Sequence, residues 1–250
     1  MYPDWSRNIA DGSVIQIPVC RDIVTSELED MKKLFTAIRA SDLETVKQII
    51  EKNPELINCT AKQPPKKDDG QSPLQVALKT GNTTIANYLL DHGANVNFIE
   101  DESCCNQWRT PVLHDAINCA VMLCRWNTND KYMGFRVFST KERAEEGLAV
   151  LKRMLDMGAD VNALDSYGNS GLNRFALQAK QILPSFNYVE HSEGSDRVFT
   201  DELHEDLKRV LQALKDAGAD PSYKAPNLGC SVSEFCSEGS ISILFDEVFG

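Results

Sequence analysis

No stretch of this chain approaches 18 consecutive apolar residues, and Met1 to Cys20 has no basic start followed by an apolar run. A membrane span and a secretory signal therefore both lack their sequence support, and cytoplasmic residence is the expectation. Basic residues are scarce: Lys and Arg number 26 against 37 Asp and Glu, a formal net charge of −11. Nucleic acid is a poor partner for such a surface, because phosphate contacts need an excess of Lys and Arg. A basic protein partner would instead be steered in. The eight cysteines include no CxxC pair; Cys104 and Cys105 are adjacent, Cys119 and Cys124 are five apart, and Cys230 and Cys236 six apart. Reduced thiols are expected, with no zinc site. GxGxxG, GxxxxGK[ST], HExxH and GxSxG are all missing, which removes the usual signatures of phosphate cradles, zinc peptidases and hydrolases. No cofactor or metal is called for.

What the chain does have is a pattern built around Gly70 to Asn97. Ser72 can cap a helix, and Pro73 sits at its first position, where a missing N–H costs nothing. Leu74, Ala77 and Leu78 recur at helical spacing until Gly81, and Ile85, Ala86, Leu89 and Leu90 form a second face that ends at Gly93. Neither helix of this hairpin can bury its face alone, so similar neighbours must stack on both sides. Those neighbours are legible. Gly93-Ala94-Asn95-Val96-Asn97 returns as Gly158-Ala159-Asp160-Val161-Asn162 and, weakened, as Gly218-Ala219-Asp220-Pro221-Ser222. Ser72-Pro73-Leu74-Gln75-Val76-Ala77 returns, one residue longer, as Thr110-Pro111-Val112-Leu113-His114-Asp115-Ala116.

These matched phrases resemble the ankyrin repeat, with its T-P-L-H-x-A opening, over roughly residues 27–250. The fold class expected is all-α, a solenoid of five helical hairpins at about 27–58, 70–97, 110–162, 170–222 and 229–250. Residues 1–25 match no repeat, and within them Val14 to Val19 alternates weakly as a short strand would. Ser26 with Glu29 reads as a capping box opening the first helix. Lys62 to Asp68 reads as a lengthened, solvent-exposed loop. Ser231 with Glu234 opens a last, degenerate unit whose Ile241, Leu244, Phe245, Val248 and Phe249 line one face.

Two units depart from the family spacing. Ser72 to Gly93 is 21 positions, whereas Thr110 to Gly158 and Ser170 to Gly218 are each 48. Each surplus ends on a similar phrase, Arg136-Val137-Phe138 and Arg197-Val198-Phe199, followed by a helix of about 17 residues starting after Thr140 or Thr200. Both inserts should lie on the same side, with Phe138 and Phe199 buried in equivalent places. Phe186 to Val189, Ser192 to Ser195 and Arg197 to Phe199 read as strand, turn, strand.

The search for chemistry yields no catalytic group. His92 and His114 sit where ankyrin repeats use structural histidines, and His191 and His204 read as solvated surface residues without a nucleophile at a recognisable spacing. What remains is surface. Gly stands two places before the opening Ser or Thr at Gly70, Gly168 and Gly229, but Trp108 holds that place in the third unit. Beside Arg109, it can either anchor a partner or fold back on its own repeat. Trp126, Tyr132, Phe135, Phe186 and Tyr188 in the inserts face the same choice between mutual packing and partner contact. The resemblance implies a non-enzymatic module that binds another protein through loop tips and the concave helical face. An inhibitor or immunity-type protein that blocks an enzyme with its inserts, and an enzyme with a site built in those inserts, are the alternatives.

Overall fold

The computed structural model describes residues 20–62 and 65–250, with side chains in the first helix described from residue 27 on. The expected strand at Val14 to Val19 lies outside the described residues. Ten α-helices form five pairs among the described residues: α1 Cys20–Arg39 with α2 Leu43–Lys52, α3 Pro73–Lys79 with α4 Thr83–Asp91, α5 Val112–Met122 with α6 Lys141–Asp156, α7 Gly171–Ile182 with α8 Asp201–Asp216, and α9 Val232–Phe235 with α10 Ser240–Phe249. The first members pack side by side as an inner row, α1 on α3, α3 on α5, α5 on α7 and α7 on α9, and the second members form an outer row from α2 to α10.

Local chemistry sets the ends of these helices. Ser72 with Gln75, Ser170 with Asn173 and Ser231 with Glu234 form reciprocal capping boxes, which satisfy two otherwise orphaned N–H groups at each start. Thr140 and Thr200 cap α6 and α8 through their hydroxyls, and both helices run 16 residues. The helix does not start at Ser26, because α1 begins at Cys20 and passes through that position. One core threads all five pairs. Leu74, Leu78, Leu113, Ile117, Leu172 and Phe175 fill the inner row, and Ile85, Leu89, Leu151, Met154, Leu207 and Leu211 the outer one. Gly147 lets α6 approach α5 closely, since a Cβ there would meet the Ala120 Cα at 3.1 Å.

A repeated side-chain device joins the pairs. Asn58 donates to the Gly93 carbonyl at 3.2 Å and accepts from the Asn95 N–H at 2.8 Å. Asn97 does the same to Gly158 and Asp160, at 3.0 and 2.9 Å, and Asn162 to Gly218 and Asp220, at 2.9 and 3.1 Å. Each closing Asn therefore bonds the next pair's Gly-x-Asn or Gly-x-Asp turn. His114 works in the same direction, bonding the Ala163 carbonyl through Nε2 at 3.1 Å, and His92 Nδ1 bonds the Tyr88 carbonyl at 2.8 Å.

The segments that break the spacing form two antiparallel hairpins. In the first, β1 Asn127–Asp130 pairs with β2 Gly134–Val137; in the second, β3 Phe186–Asn187 pairs with β4 Ser192–Glu193. Pairing thus falls where a turn was expected, and Arg197 to Phe199 is not in a strand. That stretch runs instead beside β1: Asn129 N–H donates to the Asp196 carbonyl at 2.7 Å, and the Asn127 amide exchanges hydrogen bonds with Val198 N–H and C=O at 2.8 Å each. The two segments therefore lie on one side and pack together. Arg125 locks them to α8, donating from Nε and Nη2 to Asp206, whose side chain is buried. Phe199 packs against the core, but Phe138 is 51% exposed, because it lies flat on Trp126 rather than under the helix it precedes.

The polar loop before Ser72 also differs from its expectation. Asp68 and Asp69 are buried: Asp68 pairs with Arg39, while Asp69 accepts from the Cys105 N–H at 2.9 Å. The surplus residues tie the first pair to the loop that leads to Trp108.

Candidate protein-docking groove

Three turns with a glycine two places before the helix cap have φ of +81° at Gly70, +80° at Gly168 and +69° at Gly229. Trp108, at the matching place before α5, has no positive φ, so its loop has been rebuilt rather than strained. The rebuilt loop leans on the next one. Arg109 N–H donates to Ser166 Oγ at 3.1 Å, Ser166 N–H donates to the Arg109 carbonyl at 3.0 Å, and Ser166 Oγ donates to Gln107 C=O at 3.0 Å.

The Trp108 indole N–H donates to Asp165 Oδ2 at 2.9 Å, and the Arg174 guanidinium lies 4.4 Å from the ring centre. Asp165 is buried and also accepts from the Tyr167 and Asn169 N–H groups, the Asn169 amide and Arg174. Burial acts to raise its pKa, but the hydrogen bonds from Asn169, Trp108 and Tyr167 outweigh it and hold the carboxyl below its ordinary value. Trp108 is thus fixed against the neighbouring unit, yet 47% of its surface stays open.

The open side borders a groove of about 290 Å³ that follows the inner row from Trp108 and Thr110 along α5, past Asp115, Asn118 and Cys119, to Met122 and Leu123. Leu78, Lys79 and Gly81 of the α3 end form the opposite wall. Most of its surface is apolar, with a few polar groups at the base, the general build of a binding groove. Asp115 lies beneath it, only 3% exposed, accepting from the Gln75 amide at 3.3 Å, with Lys79 Nζ at 3.9 Å. Burial raises the Asp115 carboxyl to about 7, Lys79 opposing the shift and Glu100 adding to it. Its neighbour His114 is lowered to about 4, by burial and then by the charge of Arg174. Burial likewise raises Cys119 to about 12, so this thiol is protonated and unreactive.

Apart from its neighbour Arg109, the other residues singled out from the sequence do not join Trp108. Trp126 stacks on Phe138 at 4.4 Å and packs on the core past the far end of α5, a helix about 16 Å long at 1.5 Å per residue that stands between it and Trp108. Tyr132 stands at the tip of the first hairpin, 89% exposed, with Phe135 half-exposed behind it. Phe186 packs edge-on against Tyr188 at 5.0 Å, and the Tyr188 hydroxyl bonds Lys180 at 2.8 Å. Arg109 reaches Glu102 at 3.3 Å. His191 is on the surface as expected and His204 is partly buried; each lies 3.0 Å from a glutamate, Glu238 and Glu247 respectively. Among the described residues no group of His, Cys, Asp and Glu could hold a metal ion, the cysteines are free thiols, and no helix is long and apolar enough to cross a membrane. The groove itself was missed from the sequence. Its base is Asp115 in the Thr110 to Ala116 phrase, and a carboxylate in a mostly apolar helix was the available signal.

The ladder of asparagines and the paired helix rows repeat with the period of the opening and closing phrases. Residues 31–130 match the family model for ankyrin repeats, in three copies. That part of the chain carries ankyrin repeats. Two curated relatives, the proteins named "Ankyrin repeat and SOCS box protein 6" from Homo sapiens and from Pongo abelii, are each 30% identical over 122 residues. That match covers 47% of this chain and 29% of the length of each relative. In ankyrin-repeat terms, Trp108 and Arg109 are on a finger loop and the groove runs over the inner helices.

Proposed function

We propose that this ankyrin-repeat chain is a non-enzymatic interaction module that binds another protein in the groove along α3 and α5. In this reading the stack counts five units, and the third and fourth carry the hairpins as insertions. Trp108 and Arg109 meet the partner at the finger end; Met122 and the exposed Tyr132, Phe135 and Tyr188 extend the surface at the other. The observation that carries the proposal is the groove itself: apolar walls, a buried carboxylate at its base and a half-open tryptophan fixed at its mouth, the kind of anchor that dominates protein interfaces. The net charge of −11 favours a partner with a basic surface, in the cytoplasm, and disfavours nucleic acid.

A photo-crosslinking residue at Met122, compared with one at the exposed Lys152 on α6, tests this in the native source. A protein captured from position 122 and not from 152 is the expected result; capture from 152 alone, or from neither, would overturn it. Tyr132, Met133 and Val189 stand open at the hairpin tips, which favours a second reading, a protein that blocks an enzyme with those tips. Crosslinks confined to position 132 would select it.

A further inference from the structure

One edge of the first hairpin is taken and the other is open. On the β1 side the chain that follows the second hairpin runs alongside, and the Asn129 N–H donates to the Asp196 carbonyl. That N–H therefore points away from β2, so Asn129 and Phe135, which face each other in the register, share no hydrogen bond. The Phe138 N–H, donating to the Trp126 carbonyl at 2.9 Å, sets the same alternation from the other end: Trp126 and Phe138 are a bonded pair, as are Thr128 and Arg136, while Asn127 and Val137 are not. Phe135 and Val137 accordingly turn their N–H and C=O groups outward, where among the described residues these groups meet no partner. All of β2 is exposed, and Phe135, Val137 and the following Phe138 are each half open, so the edge is apolar as well as unpaired. Proteins usually blunt such an edge with charge or cover it; here one charge, Arg136, stands in the strand.

We infer that β2 receives an extended segment of a partner protein as an added antiparallel strand, bonded to the outward N–H and C=O groups of Phe135 and Val137, with apolar residues opposite those two and an acidic residue opposite Arg136. In that arrangement the residue facing Arg136 belongs to a pair without mutual hydrogen bonds, where side chains stand closest, so its carboxylate meets the guanidinium directly. The Arg136 guanidinium is free to take it: among the described residues it has no hydrogen bond or ion pair, and Asp130, whose carboxyl feels its charge, is engaged by the Tyr132 and Met133 N–H groups at 2.7 Å each. A second copy of this chain fits poorly. The register that uses Phe135 and Val137 of both copies is centred on Arg136, which sets two arginines opposite each other on chains that each carry a net charge of −11. This inference goes beyond the docking groove, which runs along α3 and α5, and either can fail without the other.

The test is a random peptide library displayed on phage, depleted on the Val137→Pro chain and then selected on the parent chain. Proline suits this place because the Val137 N–H bonds nothing in β1, so its removal leaves the hairpin ladder whole. Enriched peptides are synthesised with one N-methyl group at each position in turn, and their affinities are measured on the parent chain, on Val137→Pro and on Arg136→Glu. The expected outcome is a loss of at least tenfold on Val137→Pro, a loss of at least tenfold at every second N-methyl position with little change between, and a shared acidic residue whose exchange for its amide, like Arg136→Glu, costs severalfold. The N-methyl scan is read on the parent chain, so it reports strand pairing even if the proline variant does not fold. No enrichment, or binding that N-methylation does not weaken at alternate positions, would overturn the inference, as would peptides without an acidic residue or indifferent to Arg136→Glu. A dimer in sedimentation velocity that Val137→Pro abolishes would overturn it too, by giving the edge to a second copy.

Discussion

Trp108 is held by its indole N–H on the buried Asp165 and by its ring on Arg174, so its truncation acts on stability as well as on binding. A hydrogen bond to a charged group contributes about 1.5–3 kcal/mol and leaves its buried acceptor short of a donor when lost. Trp108→Ala is expected to lower the melting temperature by several degrees, at roughly 2–4 °C per kcal/mol for a chain of this size. Trp108→Phe, which keeps a ring over Arg174, should recover part of that loss; differential scanning fluorimetry of the two variants checks it, and identical melting temperatures for both would show the stack contributes nothing. Beside it, Asp115 and His114 titrate with opposite signs. The Asp115 carboxyl is raised from 3.8 to about 7, so the folded state holds its proton longer than the unfolded chain and stability falls as pH climbs from about 4 to about 7. His114 is lowered from 6.5 to about 4, so the unfolded chain takes its proton first and stability falls as pH drops through that window. Relative to the parent chain, Asp115→Asn should gain stability as pH rises from 5 to 7.5, and His114→Gln should gain as pH falls from 6.5 to 4.5. Urea unfolding at a series of pH values reads both slopes, and parallel curves for parent and variants would refute the assignment.

Between elements, the asparagine ladder links each pair of helices to the next by two hydrogen bonds per rung. At about 1 kcal/mol for each exposed bond, Asn97→Ala should cost about 2 kcal/mol, and Asn58→Ala and Asn162→Ala similar amounts, since all three rungs have the same geometry. Denaturant midpoints measure this; a loss at one rung alone would mean that the repeat in geometry is not a repeat in energy. The closing phrases at Asn97 and Asn162 made this register legible in the sequence, because side chains bonding between neighbours must recur with the neighbours. Helix starts were legible for the same local reason at Ser72, Ser170, Ser231, Thr140 and Thr200. The first hairpin was not, and in the second only the strand at Phe186 was. Their pairing depends on where the two segments meet each other, and the polar Asn127 and Asn129, which carry that meeting, hide no alternation in their own sequence. Ser26 misled because a capping pattern inside a helix is indistinguishable from one at its start until the preceding turn is known. The groove was illegible because its walls come from α3 and α5, 30 and more residues apart, and because Trp108 is read as an anchor or as packing only once Asp165 is seen beneath it.

For the whole molecule, each helix pair touches only its neighbours, so stability is a sum over units and interfaces rather than one indivisible core. The central helix α5 has the most to hold, packing on α3, α6, α7 and α8, whereas α10 packs on α7 and α8. Ile117 is fully buried in α5 and Ile241 nearly so in α10. Replacing either with alanine removes the same atoms, at about 2–5 kcal/mol for a site that cannot collapse. The consequences should differ in reach. Ile117→Ala is expected to speed amide hydrogen exchange in α3, α6 and α7 together, because the interfaces on both sides of α5 share the cavity. Ile241→Ala should speed exchange in α8, α9 and α10 while leaving α3 and α4 as slow as in the parent chain, since free energy lost at one end reaches the other only through every interface between. Hydrogen exchange read by mass spectrometry resolves these segments. Uniform acceleration across the chain in both variants would mean that the units unfold as one, and the nearest-neighbour description would then be wrong for this stack.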